Sequence, residues 1–154
     1  VKPKVYQYPI AKDRVDYDTR VLNRLPNVAE AEEEFTGIIQ GLPAKSREEE
    51  RFARALENNN LNYVFEFEVP TADDLPGEQR SIDFLVDREG VQVPVEIKGA
   101  IGHGFEEDEA ADLVREAILT EALGKMGIYH DIVSVFDYEI PTPEMANAKI
   151  LELT

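Results

Sequence analysis

Two apolar, β-branched runs separated by a tight polar bend do more than any other feature to limit the folds open to this chain. Arg80 to Asp87 and Val91 to Lys98 are rich in Val, Ile and Phe and are joined around Arg88-Glu89-Gly90, the pattern of a β-hairpin. A two-residue loop at Glu89-Gly90 fixes the register by counting outward. It sets Arg88 opposite Val91, Asp87 opposite Gln92, Leu85 opposite Pro94 and Asp83 opposite Glu96. The bend thus predicts two carboxylates face to face, with Cβ atoms roughly 5 Å apart, which repel unless something positive lies between them. Lys98 stands two residues past Glu96 and so shares its sheet face. A divalent cation resolves the conflict. Hard Mg²⁺ (or Mn²⁺) takes one or two carboxylates plus water and phosphate oxygens, and a nearby lysine can orient or activate the attacking water.

The rest of the chain supplies layers around this hairpin. Ser46 and Glu49 stand in capping-box spacing ahead of an apolar Phe52, Ala55, Leu56 face, which predicts a helix running to Glu57. Tyr63 to Val69 alternates apolar residues with Glu66 and Glu68 and reads as a strand with one polar face. Pro70 to Gln79 is a loop. Glu106 to Met126 carries Leu113, Val114, Ile118, Leu119, Leu123 and Met126 at helical spacing behind an acidic start and predicts the longest helix. Asp131 to Tyr138 follows as a strand and Pro143 to Leu153 as a C-terminal helix. Helix, three strands, helix, strand, helix is the order of an α/β layer fold with a mixed sheet: the meander is antiparallel, and the last strand arrives after a helical crossover.

With 154 residues the chain is long enough for one core, so residues 43–154 are expected to form one domain and 1–42 an arm and connector. Residues 28–40 read as a short helix or an acidic connector that breaks at Gly41-Leu42-Pro43. Residues 1–25 have no sustained period and read as an extended arm. The chain holds 16 bases and 32 acids, a net charge of −16, yet this arm alone carries six bases against three acids. Such acidity argues against tight nonspecific duplex binding over the whole surface. A basic arm reaches for nucleic acid or for the acidic body of a neighbouring subunit, and we expect a homo-oligomer or larger assembly through residues 1–25. No cysteine is present, which rules out thiolate chemistry. No apolar run is long enough to span a bilayer and the start shows no signal peptide, so no membrane partner and a cytoplasmic location are expected.

Asp83, twelve intervening residues, then Glu96-Ile97-Lys98 resembles the signature of the PD-(D/E)XK nuclease superfamily. Ser81-Ile-Asp-Phe-Leu-Val86 and Pro94-Val-Glu-Ile-Lys-Gly99 look like its two catalytic strands, although Ser81-Ile82 replaces the eponymous Pro before Asp83. The resemblance implies a restriction-endonuclease-like αβββαβ core, a mixed central sheet flanked by helices, over residues 46 to 139. It implies that Asp83, Glu96 and the Ile97 carbonyl hold Mg²⁺, that Lys98 positions the nucleophile, and that an acid on the first core helix assists. Glu48 and Glu49 both fit that last role; Glu49 is preferred because it shares a face with Phe52 and Leu56. Leu42-Pro-Ala-Lys-Ser-Arg-Glu-Glu-Glu50, followed by Ala53-Arg-Ala-Leu56, is similar to phage-type and very-short-patch-repair-like members. That likeness implies roles for His103 and for Asp112 with Arg115.

Several of these residues have structural explanations as well. Glu49 is also the reciprocal capping partner of Ser46. Asp112 and Arg115 also make an exposed ion pair within one helix, and Lys98 also merely neutralises its carboxylate neighbours. Glu106-Glu107-Asp108-Glu109 is a solvated helix start or a second metal site, and His103 a leaving-group acid or part of a glycine-flanked loop. The functional expectation is Mg²⁺- or Mn²⁺-dependent hydrolysis of DNA phosphodiesters. The alternative is a catalytically weak or inactive nuclease-fold adaptor, for instance virion-associated in a phage particle. A DNA-mimic role drawn from the net charge ranks third.

Overall fold

The structure, a computed structural model, describes residues 33–71, 80–99 and 106–153, with side chains throughout except at 106–109. Its elements are β1 (Ile38–Ile39), β2 (Leu42–Pro43), α1 (Arg47–Asn58), β3 (Asn62–Glu68), β4 (Ser81–Arg88), β5 (Val91–Lys98), α2 (Glu106–Lys125), β6 (Val133–Phe136), a 3-10 turn at Asp137–Glu139, and α3 (Pro143–Leu151). The main sheet is ordered β3-β4-β5-β6. β3, β4 and β5 are antiparallel neighbours, and β6 joins parallel to β5. Among the described residues the fold is α/β with a mixed four-stranded sheet and three helices, as the element order leads one to expect.

The β4–β5 turn sets the geometry. Glu89 and Gly90 both have positive φ, 52° and 87°, the requirement of a type I′ turn whose twist matches its strands. The Asp87 carboxylate accepts the Gly90 N–H at 3.0 Å. Pairing then runs from Arg88↔Val91 to Phe84↔Val95, the register expected from a two-residue loop.

Helices cover both sheet faces. One cluster joins Phe52, Ala53, Ala55 and Leu56 of α1 and Ala146 and Ile150 of α3 to Phe65, Phe84, Val86, Val93, Val95 and Val135. Phe84 lies at its centre, with the rings of Phe52, Phe65 and Tyr63 at 5.1, 5.2 and 5.7 Å between centroids in tilted contacts, the geometry that aromatic quadrupoles favour. A second cluster joins Leu119, Ala122 and Leu123 of α2 to Val69, Ile82 and Leu85. The paired residues Phe65 and Phe84 belong to the first cluster, whereas Phe67, paired with Ile82, and Ile82 itself belong to the second. The strands therefore change face at the level between them, where Glu66 adopts a φ of 54°. The crossover closes with a Schellman arrangement: Gly127, at φ 85°, donates to the Gly124 carbonyl and Ile128 to that of Leu123.

Two expectations are corrected. Residues 33–43 form neither a helix nor a simple connector; Gln40 and Gly41, at φ 49° and 80°, turn a second small hairpin, β1–β2, with Ile38 opposite Pro43. The Gln40 side chain then pairs with the outer edge of β3, donating to the Tyr63 carbonyl at 2.6 Å and accepting the Phe65 N–H at 2.8 Å. The last strand ends at Phe136, because Asp137-Tyr138-Glu139 coils into a 3-10 turn. The arm at 1–25, the stretch 28–32 and His103 lie outside the described residues, as do the side chains of Glu106 to Glu109. Among the described residues no helix is long and apolar enough to cross a membrane.

Candidate functional site

A cleft of about 260 Å³ opens where β4 and β5 part, between the start of α1 and the face of α2. Beyond Phe84↔Val95 the strand pairing ends, and the Asp83 Oδ2 atom accepts the Ile97 N–H at 2.8 Å instead. Glu49, Asp83, Glu96, Ile97, Lys98, Asp112 and Arg115, all singled out in the sequence, line this one cleft together with Lys45, Ser46, Gly99 and Glu116. Ionisable lining groups comprise five carboxylates and three cations.

The α1 end is built by capping. Ser46 is the N-cap, and its side chain accepts the Glu49 N–H at 3.2 Å, which satisfies one of the orphan donors of the first turn. The Glu49 carboxylate does not return the bond to Ser46, as a full capping box would; it accepts the Lys45 N–H at 2.7 Å. This holds Glu49 at the mouth of the helix, toward Asp83. Glu48 is buried but is absent from the cleft wall, so of the two candidate helix acids Glu49 is the one brought to the site.

Glu66 joins this group and was not singled out from sequence. Oxygen atoms of Glu49, Glu66 and Asp83 all lie within 4.8 Å of one another. The β3–β4 pairing sets Glu66 between the Phe65↔Phe84 and Phe67↔Ile82 pairs, at the level of Asp83. Its carboxylate meets the Lys45 Nζ at 2.8 Å and accepts the Ser81 hydroxyl at 3.0 Å.

Crowding and burial oppose full ionisation here. Burial, then the charge of Asp83, pushes the Glu49 carboxyl up to about 8, against the stabilising Lys45 N–H bond. Burial raises Asp83 to about 6 despite the Ile97 N–H bond, with Glu96 and Glu66 adding repulsion and Lys45 relieving some of it. Partial burial of Lys45 works against its charge, but Glu66 first and then Asp83 and Glu49 outweigh it, and the ammonium is held more firmly protonated than an ordinary lysine. Acids in a shared site behave this way when nothing more positive neutralises them. An all-oxygen set of this kind suits a hard divalent cation. The donor chemistry therefore fits the metal that the sequence resemblance implies.

The α2 wall differs from the sequence expectation. Arg115 does not form an exposed pair with Asp112. It is buried, with Nη1 on Glu96 Oε1 at 2.6 Å and Nη2 on the Ser81 carbonyl at 2.9 Å, because that helix face turns toward the sheet rather than toward solvent. Lys98 is engaged by Glu116, whose Oε1 also accepts the Ser134 hydroxyl at 3.5 Å. Helical spacing finds partners within a helix; these partners come from across the sheet. The chain matches no protein-family model, no curated protein and no solved structure.

Proposed function

We propose that the chain is a divalent-cation-dependent nuclease of PD-(D/E)XK type, hydrolysing DNA phosphodiesters on a restriction-endonuclease-like αβββαβ core. The observation that carries this reading is convergence: Asp83, Glu96 and Lys98, on two strands whose pairing ends at that point, meet an acid from the first helix in one cleft. Support also comes from the chain order, helix, antiparallel meander, helix, parallel strand. Asp83 and Glu49, with Glu66 and Glu96 beside them, would hold Mg²⁺ or Mn²⁺. The bound ion would supply charge stabilisation of the phosphoryl oxygens and acidify a water molecule. Lys98 would orient that water, while half-exposed Lys45 would give the phosphate a locally positive approach in an otherwise acidic chain.

A second reading is an inactive or weak adaptor of the same fold, assembling through residues 1–25. It draws on Glu96 and Lys98 both being paired within the chain, to Arg115 and Glu116. Incubation of the full chain with plasmid, nicked and branched DNA in Mg²⁺ or Mn²⁺ separates the two. Metal-dependent cleavage that disappears in Asp83→Ala is the expected result. Intact DNA, or equal cleavage by Asp83→Ala, refutes the nuclease.

A further inference from the structure

The two functional groups on β5 are long side chains, and nothing in the strand itself fixes where their tips point. A glutamate or lysine side chain loses much of its rotamer freedom when held, so an ordered tip needs a partner. Both partners come from consecutive residues of α2. Arg115 grips Glu96 Oε1 and, with its other terminal nitrogen, the Ser81 carbonyl of β4. Ser81 is two residues from Asp83, so the guanidinium fork ties the Glu96 carboxylate to the strand that carries Asp83. The fork takes Oε1; a carboxylate has a second oxygen with which to meet a cation. Glu116 grips Lys98 through the same oxygen that accepts the Ser134 hydroxyl, and Ser134 pairs with Glu96 in the β5–β6 register. Lys98 is thereby tied to β6 as Glu96 is tied to β4.

We propose that α2 is the positioning element of this site: Arg115 sets the orientation of the Glu96 carboxylate, and Glu116 that of the Lys98 ammonium. The inference rests on the cation-dependent reading above. Neither residue needs to touch the reacting phosphate. The Arg115–Glu96 pair is no readily opened latch, because separating a buried, hydrogen-bonded pair leaves an uncompensated charge. Outer partners that orient metal ligands in this way typically govern affinity and turnover.

The test uses the full chain, with Mn²⁺ binding followed by calorimetry, thermal unfolding, and DNA cleavage. Arg115→Lys keeps the charge but not the fork that reaches both Glu96 and Ser81; Mn²⁺ affinity is expected to fall about 10- to 100-fold. Glu116→Gln is expected to bind Mn²⁺ as the wild type does while kcat falls about 10- to 100-fold at unchanged KM. Arg51→Lys, at a buried ion pair away from the cleft, is the control. It is expected to lower Tm as Arg115→Lys does and to leave Mn²⁺ affinity at the wild-type value. Glu116→Gln, at a partly exposed pair, keeps the test readable should Arg115→Lys unfold. If the wild type binds Mn²⁺ and cleaves DNA but Arg115→Lys and Glu116→Gln match it, or if Arg51→Lys weakens Mn²⁺ equally, the positioning role is wrong and the nuclease reading stands. If the wild type binds no Mn²⁺ and leaves DNA intact, both are wrong.

Discussion

Arg51 and Arg115 are built alike and placed differently. Each is 9% exposed, and each gives one terminal nitrogen to a backbone carbonyl and the other to a carboxylate. Arg51 holds Glu33 through Nε and Nη2 at 2.9 and 2.6 Å and the Ile140 carbonyl at 2.8 Å. It staples the incoming chain and the segment after β6 to α1. Arg115 holds Glu96, which lines the cleft, and the Ser81 carbonyl, two residues from Asp83. A buried arginine–carboxylate pair is thus no indicator of function in itself. The difference lies in what else converges: around Arg115 stand Asp83, Glu49 and Lys98, whereas the Phe35 ring, 5.7 Å from the Arg51 guanidinium, gives that pair an apolar flank.

The largest expected effect separates the two by stability. Arg51→Ala leaves Glu33 beside an unfilled space and should cost about 3–5 kcal/mol in chemical denaturation, with Mn²⁺ binding retained by the folded fraction. Loss of Mn²⁺ affinity in that variant would break the comparison, since it would make the staple part of the site.

Next in size is a pH dependence confined to the cleft. Folding lifts Glu49 from 4.5 to about 8 and Asp83 from 3.8 to about 6. The native state therefore holds protons that the unfolded chain has already released. The contribution of these two groups to stability is greatest below about pH 4, fades for Asp83 as pH rises toward 6, and fades for Glu49 as pH rises toward 8. Each such proton contributes a slope of up to about 1.4 kcal/mol per pH unit. Denaturation of the cation-free protein at pH 6 and pH 8 should show the decline, Glu49→Gln should flatten it, and Arg51→Ala should leave it in place. Mn²⁺ at pH 8 should restore the lost stability.

The smallest effect concerns Lys45, whose half-exposed ammonium neutralises part of the acid cluster through Glu66. Lys45→Gln removes a competing cation and should tighten Mn²⁺ binding by about 2- to 5-fold, the range set by an exposed ion pair. Weaker binding would mean that the ammonium organises the carboxylates rather than competing for them.

How much of this was legible depended on what fixes each contact. The Glu89-Gly90 turn joins its strands with two residues, so the register could be counted and the convergence of Asp83, Glu96 and Lys98 followed. β3 and β4 are joined by residues 69–80, too long a connection to count across, and Glu66 passed as an ordinary polar-face residue although it stands level with Asp83. Arg115 was visible as a helical residue with an acid three positions earlier; its true partner, Glu96, is fixed only by how α2 lies on the sheet. At Gln40-Gly41 the turn chemistry was present, but the flanking strands are two residues each, too short for any period to show.

One bend at the far end of the β4–β5 hairpin governs which chemistry the cleft contains. Alternate side chains of β5 look opposite ways, so an extra residue inserted beside Gly90 that slipped the pairing by one step would hand Val95 and Ile97 to the solvent-filled side and drive Glu96 and Lys98 among the phenylalanines. The charged pair would then be the most disruptive cargo the oily layer could receive. Keeping the charged groups at the cleft and keeping the apolar layer dry are, at that turn, the same constraint.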